Sequence, residues 1–381
     1  MAQPATILVM VNNLDCQHMA RALVLARRGL FTTDPNPRVG CVVVKGGRVV
    51  GEGWHVRAGE RHAEINALRF AGEASRGATA YVTLEPCCHY GRTPPCTQAL
   101  VTAGVAKVHA AMRDPNPRVA GQGLAELQAA GVAVDCGLME QQARDLNPGY
   151  IRRMTGGRPF VRCKLAMSMD GRTAMASGES RWITGEAARA DVHSLRARSS
   201  AIMTGIGTVV ADDPLLSVRI SGEAAPRQPL RVILDSDLRA PHTARIFHGE
   251  GRVLVFTTVA DESRHGPLLS VGAEVQVAPG HALGLDLQAV MVMLAARDVN
   301  EVHLECGATL AGAMLQAGLI DELIVYVAPV LMGDAARGLF HLPELSRMSE
   351  RITVDIIDVR AIGLDWRVTA RPGPVASCVD M

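Results

Sequence analysis

Along most of this 381-residue chain short apolar runs alternate with stretches of helical spacing, and one segment, Asn147 to Pro159, interrupts the alternation. Three glycines, two prolines and three arginines crowd into it. A βα rhythm requires a sheet sandwiched between helices, and a Gly/Pro-rich interruption marks a boundary between two such bodies. Length agrees, because one hydrophobic core rarely grows beyond about 250–300 residues. The expected fold class is therefore α/β in both halves. Residues 1–14 are expected as an N-terminal extension, 15–148 and 159–370 as domains, 149–158 as a linker and 371–381 as a disordered tail.

The elements follow from local pattern. Asp15 reads as an N-cap, and Met19, Ala22, Leu23, Ala26 and Leu30 recur at helical spacing until the turn-forming segment Thr33 to Pro37. Val39 to Lys45 and Arg48 to Trp54 flank Gly46-Gly47, a hairpin whose glycines supply the positive φ of a tight turn. A helix over 63–71 follows. Strands near 78–84, 106–112 and 132–136 then alternate with helices near 97–103 and 123–130. Beyond the interruption, strands are expected near 160–167, 201–204, 230–235, 252–257, 302–305 and 322–327, with helices near 185–198, 285–296 and 308–317.

Composition narrows the partners. The chain is 48% hydrophobic, 20% charged and +1 net, which provides no electrostatic footprint for nucleic acid or an anionic membrane. Only 3% of residues are aromatic, too few for base-stacking platforms. A small-molecule substrate is expected, with no nucleic-acid or membrane partner and with a homo-oligomer, dimer or tetramer, as the assembly. Nine cysteines, several in apolar runs such as Gly40 to Val44, argue for a reducing compartment, the cytoplasm, rather than a disulfide framework. The apolar residues 5–11 lack a basic flank and are too short to span a bilayer. They belong either to an extension or to a start assigned too early, since Met10 and Met19 lie downstream.

One hexapeptide, Asp-Pro-Asn-Pro-Arg-Val, occurs at 34–39 and again at 114–119. The flanking sequences differ, so this is no repeat architecture. Two independent proline turns is the plainer interpretation; the functional one is two loops, with Asn36 in the first, at one rim of the sheet around one substrate cleft.

His62-Ala63-Glu64 opens a helix, Glu85-Pro86-Cys87 ends a strand, and Cys96 follows a loop of eight residues. A histidine and two cysteines suit tetrahedral zinc and leave the fourth position to water, as a catalytic site needs. Zinc lowers the pKa of such a water to about 7. Glu64, two residues from a ligand, is placed to relay its proton to leaving ammonia. A His-x-Glu followed by Pro-Cys and a second Cys is the nucleobase-deaminase pattern. Here eight residues rather than two separate the cysteines, and Cys88 and His89 stand between them. A closed structural zinc on Cys87, Cys88, Cys96 and one histidine competes, but leaves Glu64 without a task.

These residues, with Pro35 to Gly40 and the run Glu85 to Cys96 ending in Thr93-Pro94-Pro95-Cys96, resemble the bifunctional riboflavin-biosynthesis enzymes. That family joins a diaminohydroxyphosphoribosylaminopyrimidine deaminase to a 5-amino-6-(5-phosphoribosylamino)uracil reductase. The resemblance continues through Lys164 to Thr173, Ser177 to Thr184, Asp212 to Leu216, Glu305 to Leu310 and Asp321 to Val327, so it spans roughly residues 15 to 370. It implies a cytidine-deaminase-like α/β/α sandwich followed by a dihydrofolate-reductase-like α/β domain that binds NADPH. It further implies NADPH contacts at Ala166, Trp182, Thr208, Asp212 and Gly307, Ala308, Thr309, Leu310, Ala311, Gly312 and Ala313. Substrate contacts are implied at Ser180, Arg196, Leu216, Arg219 and Glu305.

Residue chemistry agrees in part. Gly307 to Ala313 opens a helix with small residues, where backbone N–H groups can approach a phosphate. Arg196 and Arg219 suit the ribose phosphate. Lys164 and Glu305 are the polar groups expected nearest the carbon that accepts hydride. Cys306 stands where a glycine or alanine is expected and should crowd the cofactor turn; Cys88 stands where a serine is expected. Two further classes compete with the bifunctional enzyme: a deaminase of a free nucleoside or RNA base, and a non-catalytic pyrimidine sensor.

Overall fold

The structure is a computed structural model that describes residues 13–90, 94–220, 223–224, 227–281, 284–343 and 345–373. The chain divides into two compact units, Met1–Gly156 and Gly157–Met381.

The first unit contains α1 (Asn13–Arg27), β1 (Gly40–Lys45), β2 (Arg48–Trp54), α2 (Ala63–Ala71), β3 (Thr79–Val82), α3 (Cys96–Thr102), β4 (Lys107–Ala110), α4 (Gln122–Ala129), β5 (Ala133–Cys136), α5 (Glu140–Leu146) and α6 (Pro148–Gly156). Its sheet runs β2-β1-β3-β4-β5. Strand β1 reads as a continuous apolar run because both of its faces are covered. Cys41 and Val43 pack with Ala63, Ala67, Leu100 and Leu127 from α2, α3 and α4. Val42 and Val44 pack on the other side with Met19, Ala22 and Leu25 of α1 and with Ala143, Leu146 and Tyr150. Gly53 lets α2 lie directly on β2, since a Cβ there would come within 2.4 Å of the Ala67 backbone nitrogen.

Registers decide where the loops gather. Gly40 pairs with Trp54 in the antiparallel β1–β2 ladder, Cys41 with Val82 in antiparallel β1–β3, and Val82 with Ala110 in parallel β3–β4. The start of β1 and the ends of β2, β3 and β4 therefore share one edge. Segments 33–39, 55–62, 83–90 and 111–121 all leave from that edge.

Two expectations change here. Asp15 lies inside α1 rather than capping it, and its carboxylate accepts the Tyr81 hydroxyl at 2.5 Å; the helix ends at Arg27, so Leu30 lies beyond it. The stretch expected as a linker is largely α6. Pro148 occupies the first helical position, where its missing N–H costs nothing, and Tyr150, Ile151 and Met154 pack into the first core.

The second unit contributes β6 (Phe160–Ser168), α7 (Glu186–Arg198), β7 (Ala201–Gly205), α8 (Ile206–Asp212), β8 (Leu230–Leu234), β9 (Val253–Thr257), β10 (Glu274–Val277), α9 (Leu287–Ala296), β11 (Glu301–Glu305), α10 (Ala308–Gln316), β12 (Glu322–Ala328), β13 (Val354–Ile362) and β14 (Asp365–Pro372). These strands form one sheet in the order β10-β9-β8-β7-β11-β6-β12-β14-β13. Its parallel centre buries Val161, Met203, Val232, Leu254 and Leu304 beneath α9 and α10. On the opposite face α7 packs Val192 and Leu195 on Ile324 and Tyr326. That face also buries Arg162 between Glu301 and Glu322.

Helix α8 and the closing hairpin β13–β14 were not expected from the sequence. Arg371 and Pro372, expected in the tail, end β14; the remainder of the tail from 374, and residues 1–12 of the extension, lie outside the described residues. Among the described residues no helix is long and apolar enough to cross a membrane.

Candidate functional site

In the first unit three elements deliver three candidate metal ligands to the shared edge. His62 is the N-cap of α2, Cys87 follows β3, and Cys96 begins α3. Their ligand atoms lie within 4.8 Å of one another. His62 Nδ1 is 3.2 Å from Cys96 Sγ and 3.5 Å from Cys87 Sγ. The backbone N–H groups of Cys96 and Thr97 point at the Cys87 sulfur and carbonyl, at 3.4 and 3.2 Å. The neighbouring Cys96 thiol and the His62 imidazole hold Cys87 well below the usual thiol range, in spite of burial. A nitrogen and two sulfurs converging from three sides, with Cys87 favoured as thiolate, fit tetrahedral zinc with one position left over. Among the described residues the group that brings ligand atoms together contains Cys87 and not Cys88.

Glu64 stands in the first turn of α2, 4% exposed, with its carboxyl within hydrogen-bonding reach of the Cys96 thiol. Burial pushes it above the ordinary carboxylate range. Asn36 Nδ2 lies 3.1 Å from His55 Nε2, and the His55 ring sits edge-on to His62 at 5.4 Å. His55 escaped the sequence reading. It stands alone at a strand end with no spacing signal, and only the fold sets it beside a ligand.

In the second unit Arg196 of α7 grips Glu305 at the end of β11 with two bonds, Nε to Oε1 at 2.5 Å and the terminal nitrogen to Oε2 at 2.9 Å. Its remaining terminal nitrogen donates to the Ser217 carbonyl at 3.1 Å. The guanidinium expected to hold a phosphate is thus already engaged, because α7 packs against β11 and brings the opposite charges together. Arg219 is exposed; its backbone N–H donates to His193 Nδ1 at 3.2 Å. Lys164 on β6 faces the same carboxylate. Burial lowers its ammonium and Glu305 opposes that shift.

The cofactor candidates, and the substrate candidates Ser180 and Leu216, lie on several elements of this unit. Ser180 Oγ donates to Asp212 Oδ1 at 3.4 Å, and the Arg181 guanidinium donates to the Asp212 carbonyl. Trp182 is exposed beneath the Arg189 guanidinium, 4.8 Å from its centroid. Thr208 lies on α8 with Asp212, Ala166 on β6, and Leu216 is buried. Gly307 caps α10 with Ala308, Thr309 and Leu310 in its first turn. Ala311 is in the core, and Gly312 packs on the His341 carbonyl, which a Cβ would approach to 2.1 Å. Within 307–313 the exposed positions are Gly307 and Thr309. Cys306 is half-buried and packs against the core beside this turn. Its thiol turns toward Cys163, and that contact together with burial raises it well above the usual thiol range.

A family model for the RibD C-terminal domain matches residues 159–368, and one for the cytidine and deoxycytidylate deaminase zinc-binding region matches residues 12–112. The riboflavin biosynthesis protein RibD of Escherichia coli K12 is 51% identical over 361 residues, covering 92% of this chain and 97% of that protein. The Haemophilus influenzae protein of the same name is 49% identical, with 94% and 97% covered. Among solved structures, Acinetobacter baumannii RibD, form 1, superposes with a TM-score of 0.88 at 46% identity, covering 95% of this chain and 99% of that one. A Thermotoga maritima diaminohydroxyphosphoribosylaminopyrimidine deaminase/5-amino-6-(5-phosphoribosylamino)uracil reductase gives 0.83 at 33% identity, with 94% and 99% covered.

Proposed function

The chain belongs to the RibD family of riboflavin-biosynthesis proteins, and from that premise we propose how its residues divide the work. It is a bifunctional enzyme with zinc and NADPH as cofactors. Its deaminase half hydrolyses the 2-amino group of 2,5-diamino-6-(5-phosphoribosylamino)pyrimidin-4(3H)-one. Its reductase half then converts the ribose of the resulting 5-amino-6-(5-phosphoribosylamino)uracil to the ribityl chain. Residues 15–148 are assigned to the first activity and 159–370 to the second.

His62, Cys87 and Cys96 would hold the zinc, which when bound supplies Lewis-acid activation of a water. Glu64 carries protons between the attacking water and the departing ammonia, from a carboxyl whose burial favours a bound proton. Asn36 and His55 line the pyrimidine cleft beside it. The approach of His62, Cys87 and Cys96 to within 4.8 Å, beside a buried Glu64, is the observation that carries this half.

NADPH supplies a hydride when bound to the reductase half. Ala166, Trp182, Thr208, Asp212 and the helix start from Gly307 to Leu310 are the proposed contacts. Ser180, Leu216, Arg219 and Glu305 face the sugar phosphate, with the exposed Arg219 as the cation for the phosphate. Arg196 holds Glu305 in place, and Lys164 beside them shares the handling of the proton. Exposed Val354, Ile356 and Val359 on edge strand β13 support a homo-oligomer. Cysteines carried in apolar runs support a cytoplasmic setting. Metal analysis together with ammonia release from the diaminopyrimidine tests the assignment: one zinc per chain with turnover supports it, and turnover in zinc-free protein contradicts it.

A further inference from the structure

We propose that Glu85 is a positioning residue for deamination, holding the second Asp-Pro-Asn-Pro-Arg-Val loop in place as a wall of the pyrimidine cleft. This rests on the deaminase reading of the first unit. Glu85 ends the turn that leads from β3 to Cys87 and is only 3% exposed. Its Oε2 accepts the backbone N–H of Asp114 at 3.0 Å and of Gly121 at 2.9 Å, and its Oε1 accepts that of Leu124 at 3.2 Å. One buried carboxylate thus fastens both ends of segment 114–121, and the start of α4, to a point two residues from a metal ligand. Three N–H donors and a helix start compensate a charge that would otherwise be costly to bury.

The same loop is held from its other side. Asp114 Oδ1 accepts the Asn116 N–H at 2.8 Å and the Tyr150 hydroxyl at 2.9 Å. The first copy of the hexapeptide is tied to the same stretch of chain. The Arg38 N–H donates to Asn147 Oδ1 at 2.8 Å, its guanidinium donates to the Leu146 carbonyl at 2.9 Å, and Asn147 Nδ2 donates to the Arg38 carbonyl at 2.9 Å. Asn147 and Tyr150, three residues apart, therefore pin both copies at the sheet edge that carries His62 and Cys87. The first copy reaches the metal site through Asn36 and His55. The second is tied to the stretch that leads into Cys87 by the Glu85 carboxylate, which assigns Glu85 the task of setting that wall.

The experiment uses the full zinc-loaded chain, with kcat and KM for ammonia release, zinc content and NADPH-dependent reductase activity measured on each variant. Glu85→Gln sets an amide N–H among three N–H donors and loosens the loop. The expected result is a KM raised about tenfold or more with kcat within about threefold, as follows when binding shared by ground and transition state is lost. Zinc and reductase activity stay at parental values. Gly121→Ala provides a second route that leaves Glu85 intact, because φ of +95° at residue 121 strains any side chain there. It should give the same KM-weighted defect, including when Glu85→Gln does not fold. An unchanged KM in the folded variants overturns the proposal. So does a fall in kcat accompanied by zinc loss in Glu85→Gln, which would place Glu85 in the support of the metal instead. A parent chain that releases no ammonia overturns the deaminase reading itself, and this assignment with it.

Discussion

Arg196 and Glu305 meet in a two-point ion pair, at 2.5 and 2.9 Å, at the point where a helix and a parallel strand of the second unit converge. Burial by itself would raise the Glu305 carboxyl, but Arg196 and His303 outweigh it and hold it well below the usual range. Because the folded-state value is depressed, this group adds stability above its ordinary pKa of about 4.3. That contribution is lost only as pH falls through the lower folded-state value. Breaking one side of a buried pair costs about 3–5 kcal/mol. Because Glu305 also loses the fork that fixes its position, Arg196→Leu should lower NADPH oxidation on the deaminated pyrimidine by about 100-fold or more, while ammonia release stays parental. Arg196→Lys, which keeps the charge but not the fork, should fall between. Full reductase activity in Arg196→Leu would contradict the role given to the pair. Glu305 should add no limb to the reductase pH profile above about pH 5.

Glu64→Gln removes the proton carrier and keeps all three candidate ligands. Ammonia release should drop by roughly 10²–10⁴, with zinc retained at one per chain and the reductase half unaffected. Retained deamination at bound zinc would remove Glu64 from its role.

Adjacent cysteines separate the ligand assignment cleanly. Cys87→Ser should lose most of the zinc and the deaminase activity. Cys88→Ser should keep both, because Cys88 lies outside the group around His62. Zinc measured by atomic absorption after dialysis decides it. Chelation of the parent should silence ammonia release and leave NADPH oxidation running.

Asp114 gives a pH test of the first unit. Burial pushes its carboxyl up to about 6, against hydrogen bonds from Asn116 and Tyr150, with Glu85 and His89 facing it. The folded state thus keeps a proton that the unfolded chain releases near pH 4, so this group's contribution falls as pH rises from about 4 to 6. Two pKa units correspond to roughly 3 kcal/mol. Asp114→Asn keeps the accepting oxygen and removes the titration. Its thermal midpoint relative to the parent should be higher at pH 7 than at pH 4.5. A difference independent of pH would contradict this.

Local pattern was enough for the helix Ala63–Ala71 and for the hairpin turn at Gly46-Gly47, where period and turn chemistry coincide. It was also enough to single out His62, Cys87 and Cys96, which carry a chemical signature as well as a spacing and which the fold brings within 4.8 Å of one another. It failed on α6, whose proline and glycines look like a break although Pro148 starts the helix and Tyr150 anchors it in the core. It failed on β13, an edge strand whose exposed apolar residues give no clean inside and outside. The supporting residues His55, Glu85, Asn147 and Tyr150 act across the fold, as with Arg38 and Asn147 at a separation of 109 positions. No short-range pattern could reveal them. Arg196 was legible as a functional cation, but its ion pair with Glu305 became visible only with the packing of α7 on β11.

The most direct test offers the purified chain its diaminopyrimidine phosphate with zinc and NADPH, and follows ammonia and NADPH absorbance in one vessel. Ammonia release followed by equimolar NADPH oxidation is the predicted result. Ammonia without NADPH oxidation, or neither signal, would contradict a chain that performs both steps.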